Sequence, residues 1–167
     1  MKLYLETTMF NYYFDAECDG HADTVRLFEE IREGKHKGYT SGYAIGELKN
    51  ASEPKRSVML ELIDEYNIEV LPITDESDHL ADLYVSANII PARFWQDGAH
   101  IATACIHDLD FILSYNFKHI NRAKTKLLTA RINYEKRYGA AVITAAKMEH
   151  RIVELPIVRY QPQTRVE

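Results

Sequence analysis

The sequence predicts an α/β fold in which a mainly parallel, five-stranded sheet is covered by helices on both faces. Three observations carry that prediction. Short apolar runs alternate with helix-periodic segments along the chain, the pattern of repeated strand–helix–strand units. Phe111-Ile112-Leu113 is apolar without alternation, as a strand buried on both faces must be. The chain has 167 residues, 46% of them apolar. That suits one domain able to bury roughly 70% of its unfolded surface.

The elements follow in order. Lys2 to Glu6 reads as a first strand, short and central, and a loop follows with Asp19-Gly20 as its turn. Val25, Leu27, Phe28 and Ile31 recur at helical spacing, and Gly34 ends the pattern. Lys37 to Ser41 is the second strand, and Ser41 is placed to cap a short helix over 42–50 that carries Glu47. Pro54 suits the first turn of the next helix, whose apolar stripe is Val58, Met59, Leu62, Ile63 and Tyr66. Ile68-Glu69-Val70-Leu71 is the third strand, stopped by Pro72.

A polar-faced helix over 75–88 packs through Leu80, Leu83, Tyr84 and Ala87. Pro91 opens the helix that holds Asp97, and the run from Phe111 is the fourth strand. Residues 121–137 predict a basic helix with Leu127, Leu128, Ile132 and Tyr134 inward, closed by Gly139. Ala141-Val142-Ile143-Thr144 is the fifth strand. The expected domain covers residues 1–150, and 151–167 form a loosely ordered C-terminal tail with Pro156 and Pro162. No repeat or low-complexity segment interrupts it.

Composition narrows the class. Cys18 and Cys105 are the only cysteines, without zinc-ligand spacing, and read as reduced thiols. No run approaches the roughly 20 apolar residues of a membrane helix. Glu6 comes too early for a signal peptide. A soluble, cytoplasmic protein with no membrane partner is expected. The net charge of −5 is unevenly spread. Residues 1–117 hold 9 Lys/Arg against 21 Asp/Glu, whereas 118–151 hold 9 against 2. A basic surface beside an acidic cleft suits a polyanion; a solvated, lysine-rich helix face is the alternative.

Four oxygen-bearing side chains stand where elements end or turn. Glu6 closes the first strand, Glu47 lies on the helix after the second, Asp97 sits in an alanine-rich helix, and Asn116 follows the fourth strand. Open α/β sheets bind ligands outside the carboxyl ends of their strands. Four such groups arriving there make a hard-cation site, and so point to metal-assisted phosphodiester cleavage.

Leu3-Tyr4-Leu5-Glu6-Thr7-Thr8 resembles the opening strand of PIN-domain proteins, usually a hydrophobic strand, then Asp, then Thr or Ser. Asp97-Gly98-Ala99-His100-Ile101-Ala102-Thr103-Ala104 is similar to the family's Asp-Ala-x-x-Ile-Ala-x-Ala helix, the most specific of the matches. Phe111 to Phe117 resembles the strand and loop that often carry the family's last acid, and Glu47 falls at its helix glutamate.

The resemblance implies a three-layer α/β/α PIN-like fold and an Mg²⁺- or Mn²⁺-dependent ribonuclease. Glu6, Glu47, Asp97 and Asn116 would be the catalytic and metal-binding residues. It also implies RNA as substrate, and a toxin of a type II toxin–antitoxin pair, with an antitoxin partner and a homodimer. Glu6 and Asn116 depart from the family's aspartates; a catalytically weakened module that binds RNA or a protein is therefore the alternative.

Lesser candidates surround these. Thr7, Thr8 and Ser114 orient Glu6 or a metal-bound water, or are turn residues. His100, three residues past Asp97, touches the cleft or, as the preferred reading, is a hydrogen-bonded core histidine. His119 with Lys118, Arg122 and Lys124 meets phosphates or is surface. Tyr12, Tyr13 and Tyr43 stack on bases or, preferably, pack. Asp108 and Asp110 read as a helix-to-strand turn. The absence of an Asp-x-Asp after the first strand argues against a small-phosphate hydrolase.

Overall fold

The computed structural model describes residues 1–146; the expected tail and the last four residues of the expected domain lie outside them. Five strands, β1 (Lys2–Leu5), β2 (Lys37–Ser41), β3 (Glu69–Leu71), β4 (Phe111–Leu113) and β5 (Val142–Thr144), form one sheet in the order β3-β2-β1-β4-β5. Every pairing is parallel. Seven helices connect them among the described residues: α1 (Thr7–Phe14), α2 (His21–Arg32), α3 (Gly42–Lys49), α4 (Lys55–Glu65), α5 (Asp75–Ser86), α6 (Trp95–Ile106) and α7 (Ala123–Lys136). A 3₁₀ turn, Ala92–Phe94, leads into α6.

The period of two along a strand sorts side chains onto two faces. Leu3, Leu5, Phe111 and Leu113 pack with Phe10, Phe28 and Leu62 of α1, α2 and α4. Tyr4, Ile112 and Ile143 pack on the other face with Leu80, Tyr84, Ala99 and Ala102 of α5 and α6. The result is the three-layer α/β/α arrangement expected. Each large side chain fully buried there stabilises the fold by about 1.5–3 kcal/mol. No helix among the described residues is long and apolar enough to cross a membrane.

Four local features differ from the sequence reading. Residues 7–14, read as loop, form α1. Thr, Phe and Tyr favour strands intrinsically, but burial of Met9 and Phe10 overrides that preference. Ser41 occupies the N-cap position of α3 yet makes no capping bond. Its hydroxyl instead lies 2.6 Å from the hydroxyl of Tyr4.

The inward face of α7 is also corrected. Thr125, Thr129 and Asn133 are buried, whereas Leu127 and Tyr134 are 71% and 72% exposed; Leu128 and Ile132 are half-buried. Polar residues can face inward because their groups are paired: Thr129 Oγ1 donates to the Thr125 carbonyl at 2.7 Å, and Asn133 accepts from the Tyr84 hydroxyl and donates to Cys105 Sγ. Finally, Arg137 at φ 63° ends α7, not Gly139. Gly139 is required for space: a Cβ there would lie 2.7 Å from the Cys105 carbonyl oxygen.

Candidate metal centre

All strands aim their carboxyl ends at one edge, and the strand order reverses between β1 and β4. That reversal is where open α/β sheets place ligands. Glu6 follows β1 directly, its N–H donating to the Leu113 carbonyl at 3.1 Å, so strand pairing continues up to the site. The residue is only 3% exposed. Its Oε2 accepts from Thr8 Oγ1 at 2.5 Å and Ser114 Oγ at 2.8 Å. Two hydroxyl donors compensate the burial of a carboxylate.

Glu47, on α3, is half-buried and accepts from Thr7 Oγ1. Its Oε2 lies 3.3 Å from Nε2 of His100, which α6 buries completely. Burial pushes the Glu47 carboxyl up, but the bond and charge of His100, with Thr7, hold it below the usual carboxylate value. Burial pulls His100 down, yet Glu47 first, then Glu6 and Asp97, raise it above an ordinary histidine. His100 Nδ1 sits 2.7 Å from the Tyr4 hydroxyl, which burial above all keeps neutral.

Asp97 lies three residues before His100 on α6, hence on the same helix face. Asn116 Nδ2 donates to its Oδ1 at 3.2 Å. Its Oδ2 is buried without a hydrogen-bond partner among the described residues. The Asp97 carboxyl is pushed up to about 6, by burial first and then by the charges of Glu6 and Glu47, against His100 and the Asn116 bond. One ligand atom each from Glu6, Glu47 and His100 lie within 4.8 Å of one another, a set able to hold a metal ion. The donor types and the orphaned Asp97 oxygen both suit a divalent cation.

Asn116 does two things. Its Oδ1 accepts the His119 N–H at 3.1 Å, so its carbonyl oxygen is engaged in the turn and its amide meets Asp97. For Thr7, Thr8 and Ser114 the sequence left an orienting role beside a turn role; Thr8 and Ser114 bond Glu6, and Thr7 bonds Glu47 instead. His119 stacks on Phe94 with centroids 3.9 Å apart, and the Arg93 guanidinium lies 4.8 Å from the Phe94 centroid. Burial first, then the charges of Arg122, Arg93 and Lys118, lower the His119 pKa, so three cations cluster at this rim. Lys124 instead reaches the Asn88 carbonyl at 3.3 Å.

Tyr12 stacks on Tyr115 at 3.9 Å. Tyr13 and Tyr43 are engaged internally, with Tyr66 at 2.7 Å and with Ser77 at 2.9 Å. Asp110 Oδ2 accepts the Lys2 N–H at 2.8 Å and Asp108 takes φ 50°, a turn at the opposite end of β4. His100 is the hydrogen-bonded, buried histidine that the sequence preferred, and its Nε2 also faces the Glu47 carboxylate. Its spacing from Asp97 was visible; its contacts with Tyr4 and Glu47, 96 and 53 positions away, were not.

No protein-family model matches the chain, and no curated protein matches it in sequence. Among solved structures the chain is similar to the crystal structure of VapBC2 from Rickettsia felis bound to a DNA fragment from their promoter. The TM-score is 0.55 at 13% identity, over 87% of this chain and 98% of that one. Likeness at that identity is likeness of fold, and it agrees with the PIN-like architecture that the sequence predicts.

Proposed function

We propose that this chain is a metal-dependent endoribonuclease that hydrolyses RNA phosphodiester bonds, with Glu6, Glu47 and Asp97 holding Mg²⁺ or Mn²⁺. The observation that carries the reading is the buried, unpartnered Oδ2 of Asp97 beside two further carboxylates at the carboxyl edge of the sheet. Asp97 bears the cost of the cluster: burial and the charges of Glu6 and Glu47 push its carboxyl up, and a bound cation would relieve that. A core gains nothing from such a cluster. A bound divalent ion supplies Lewis acidity and a water of lowered pKa.

The chain's own residues do the rest. Thr8 and Ser114 fix Glu6, Thr7 fixes Glu47, and the Asn116 amide fixes Asp97. Arg93, Lys118 and Arg122 around His119 offer cations to the phosphates of a bound strand. Phe117, 60% exposed beside Asn116, offers a ring to a base. The biological role we propose is the toxin of a toxin–antitoxin pair acting in the cytoplasm, with an antitoxin protein and a second copy of the chain as partners. The exposed Leu127 and Tyr134, seven apart on α7, support a protein contact.

The test is cleavage of single-stranded RNA in Mg²⁺ or Mn²⁺, which Asp97→Asn should abolish. Equal cutting by both proteins refutes the assignment. One observation favours the alternative, a weakened module that binds RNA or protein: Glu6 and Glu47 already have protein partners for their oxygens. Calorimetry separates the two, since that module binds no Mn²⁺ even with RNA present.

A further inference from the structure

We infer that His100 is itself a ligand of the ion through Nε2, making a mixed nitrogen–oxygen site that prefers first-row transition ions such as Mn²⁺ to Mg²⁺. The inference rests on the proposed function, which gave the ion to Glu6, Glu47 and Asp97.

His100 Nε2 and Glu47 Oε2 are 3.3 Å apart, and the three donor atoms of Glu6, Glu47 and His100 span no more than 4.8 Å. Adjacent donors about 2.1–2.2 Å from one ion stand roughly 3 Å apart, and opposite donors roughly 4.3 Å. A small closure therefore brings all three onto one ion.

A metal-binding histidine almost always donates its other ring N–H to an oxygen, which fixes the ring and leaves the ligating nitrogen's lone pair free. Here Nδ1 is 2.7 Å from the Tyr4 hydroxyl, which is 2.6 Å from Ser41 Oγ. With Nδ1–H donating to Tyr4 and Tyr4 O–H donating to Ser41, the Nε2 proton bonded to Glu47 Oε2 is the one a bound ion would displace, leaving the Nε2 lone pair to the ion. Tyr4, Ser41 and His100 are all fully buried, so water does not compete for these bonds. The misplaced cap at Ser41 finds its reason in the same relay.

Asp97 Oδ2, also on α6, is buried without a hydrogen-bond partner among the described residues; it is not one of the three atoms within 4.8 Å of one another, and would join them as a donor only by a shift of its side chain. Mg²⁺ takes oxygen donors and keeps its waters, whereas imidazole suits first-row transition ions. Replacing an oxygen donor by a buried nitrogen shifts preference toward the latter.

Pulsed electron paramagnetic resonance of the Mn²⁺-loaded chain, without RNA, tests this directly. The expected result is a ¹⁴N coupling that becomes a ¹⁵N coupling when only histidine is ¹⁵N-labelled and the protein is otherwise unchanged. His100→Gln should abolish the coupling and weaken Mn²⁺ binding about 10-fold or more, with a smaller effect on Mg²⁺. Bound Mn²⁺ with no nitrogen coupling overturns the role of His100 and leaves the carboxylate site standing. No Mn²⁺ binding overturns both.

Discussion

The side-chain amide of Asn116 ties α6 to the loop after β4: Nδ2 donates to Asp97 Oδ1 at 3.2 Å, while Oδ1 accepts the His119 N–H at 3.1 Å. Asn116→Ala should lower stability by about 1–2 kcal/mol, because both partners lose a bond in a partly buried place. Asn116→Asp should act differently. It adds a carboxylate to a crowded cluster, so melting in chelator should fall while Mn²⁺ affinity rises. Thermal melts with chelator and with Mn²⁺ read both; a variant destabilised equally in each would count against a cation site.

The titration of Asp97 gives a signed pH effect. Its carboxyl titrates at about 6 in the folded chain against an ordinary 3.8. The folded state thus binds this proton more tightly than the unfolded state does. Its contribution to stability is complete below about pH 4 and is lost as pH rises through about 6. Wild type in chelator should lose on the order of 1–2 kcal/mol more than Asp97→Asn between pH 4 and pH 7, after discounting for partial exposure. Urea midpoints at the two pH values check it, and identical slopes contradict it. Mn²⁺ binding must displace the same proton, so its affinity should climb over that interval.

Tyr4→Phe removes a hydroxyl that lies between Ser41 Oγ and His100 Nδ1 in a fully buried position. Two buried polar atoms lose their partner, which should cost about 1–3 kcal/mol. A denaturant midpoint unchanged within error would show that the relay is not holding the ring.

Gly139→Ala puts a methyl group against fixed backbone, since its Cβ would lie 2.7 Å from the Cys105 carbonyl oxygen. The expected loss is about 1–3 kcal/mol. The effect should be the same with and without Mn²⁺, because the turn lies away from the carboxylates.

Leu127 and Tyr134 contribute exposed apolar area on α7. The pair Leu127→Lys and Tyr134→Lys should leave the monomer's melting temperature nearly unchanged, as exposed substitutions do. If this face carries the proposed dimer, sedimentation will show dissociation of the doubly substituted protein. A dimer that survives places the contact elsewhere.

The strands were readable because their burial is written into local composition. Phe111-Ile112-Leu113 has no polar residue, and Lys37 to Ser41 matches β2 residue for residue. Glu6, Glu47, Asp97 and Asn116 were placed at one edge because a parallel sheet puts every strand end there. Helix α1 escaped because its residues favour strands locally and became helical through packing. The face of α7 was misread for a related reason: Thr129 and Asn133 find internal partners that no local pattern predicts.

Taken alone, the order of residues determined the layered α/β architecture and the edge at which acids gather. Periodicity and strand direction are local properties that accumulate along a chain. Only the tertiary structure decided which atoms meet: that Ser41 turns from its helix to Tyr4, that Tyr4 aims His100 at Glu47, and that one oxygen of Asp97 is left without a partner. Those contacts join residues up to 96 positions apart, and their geometry depends on how α6 seats against β1. Packing sets that seat, and no segment carries it by itself.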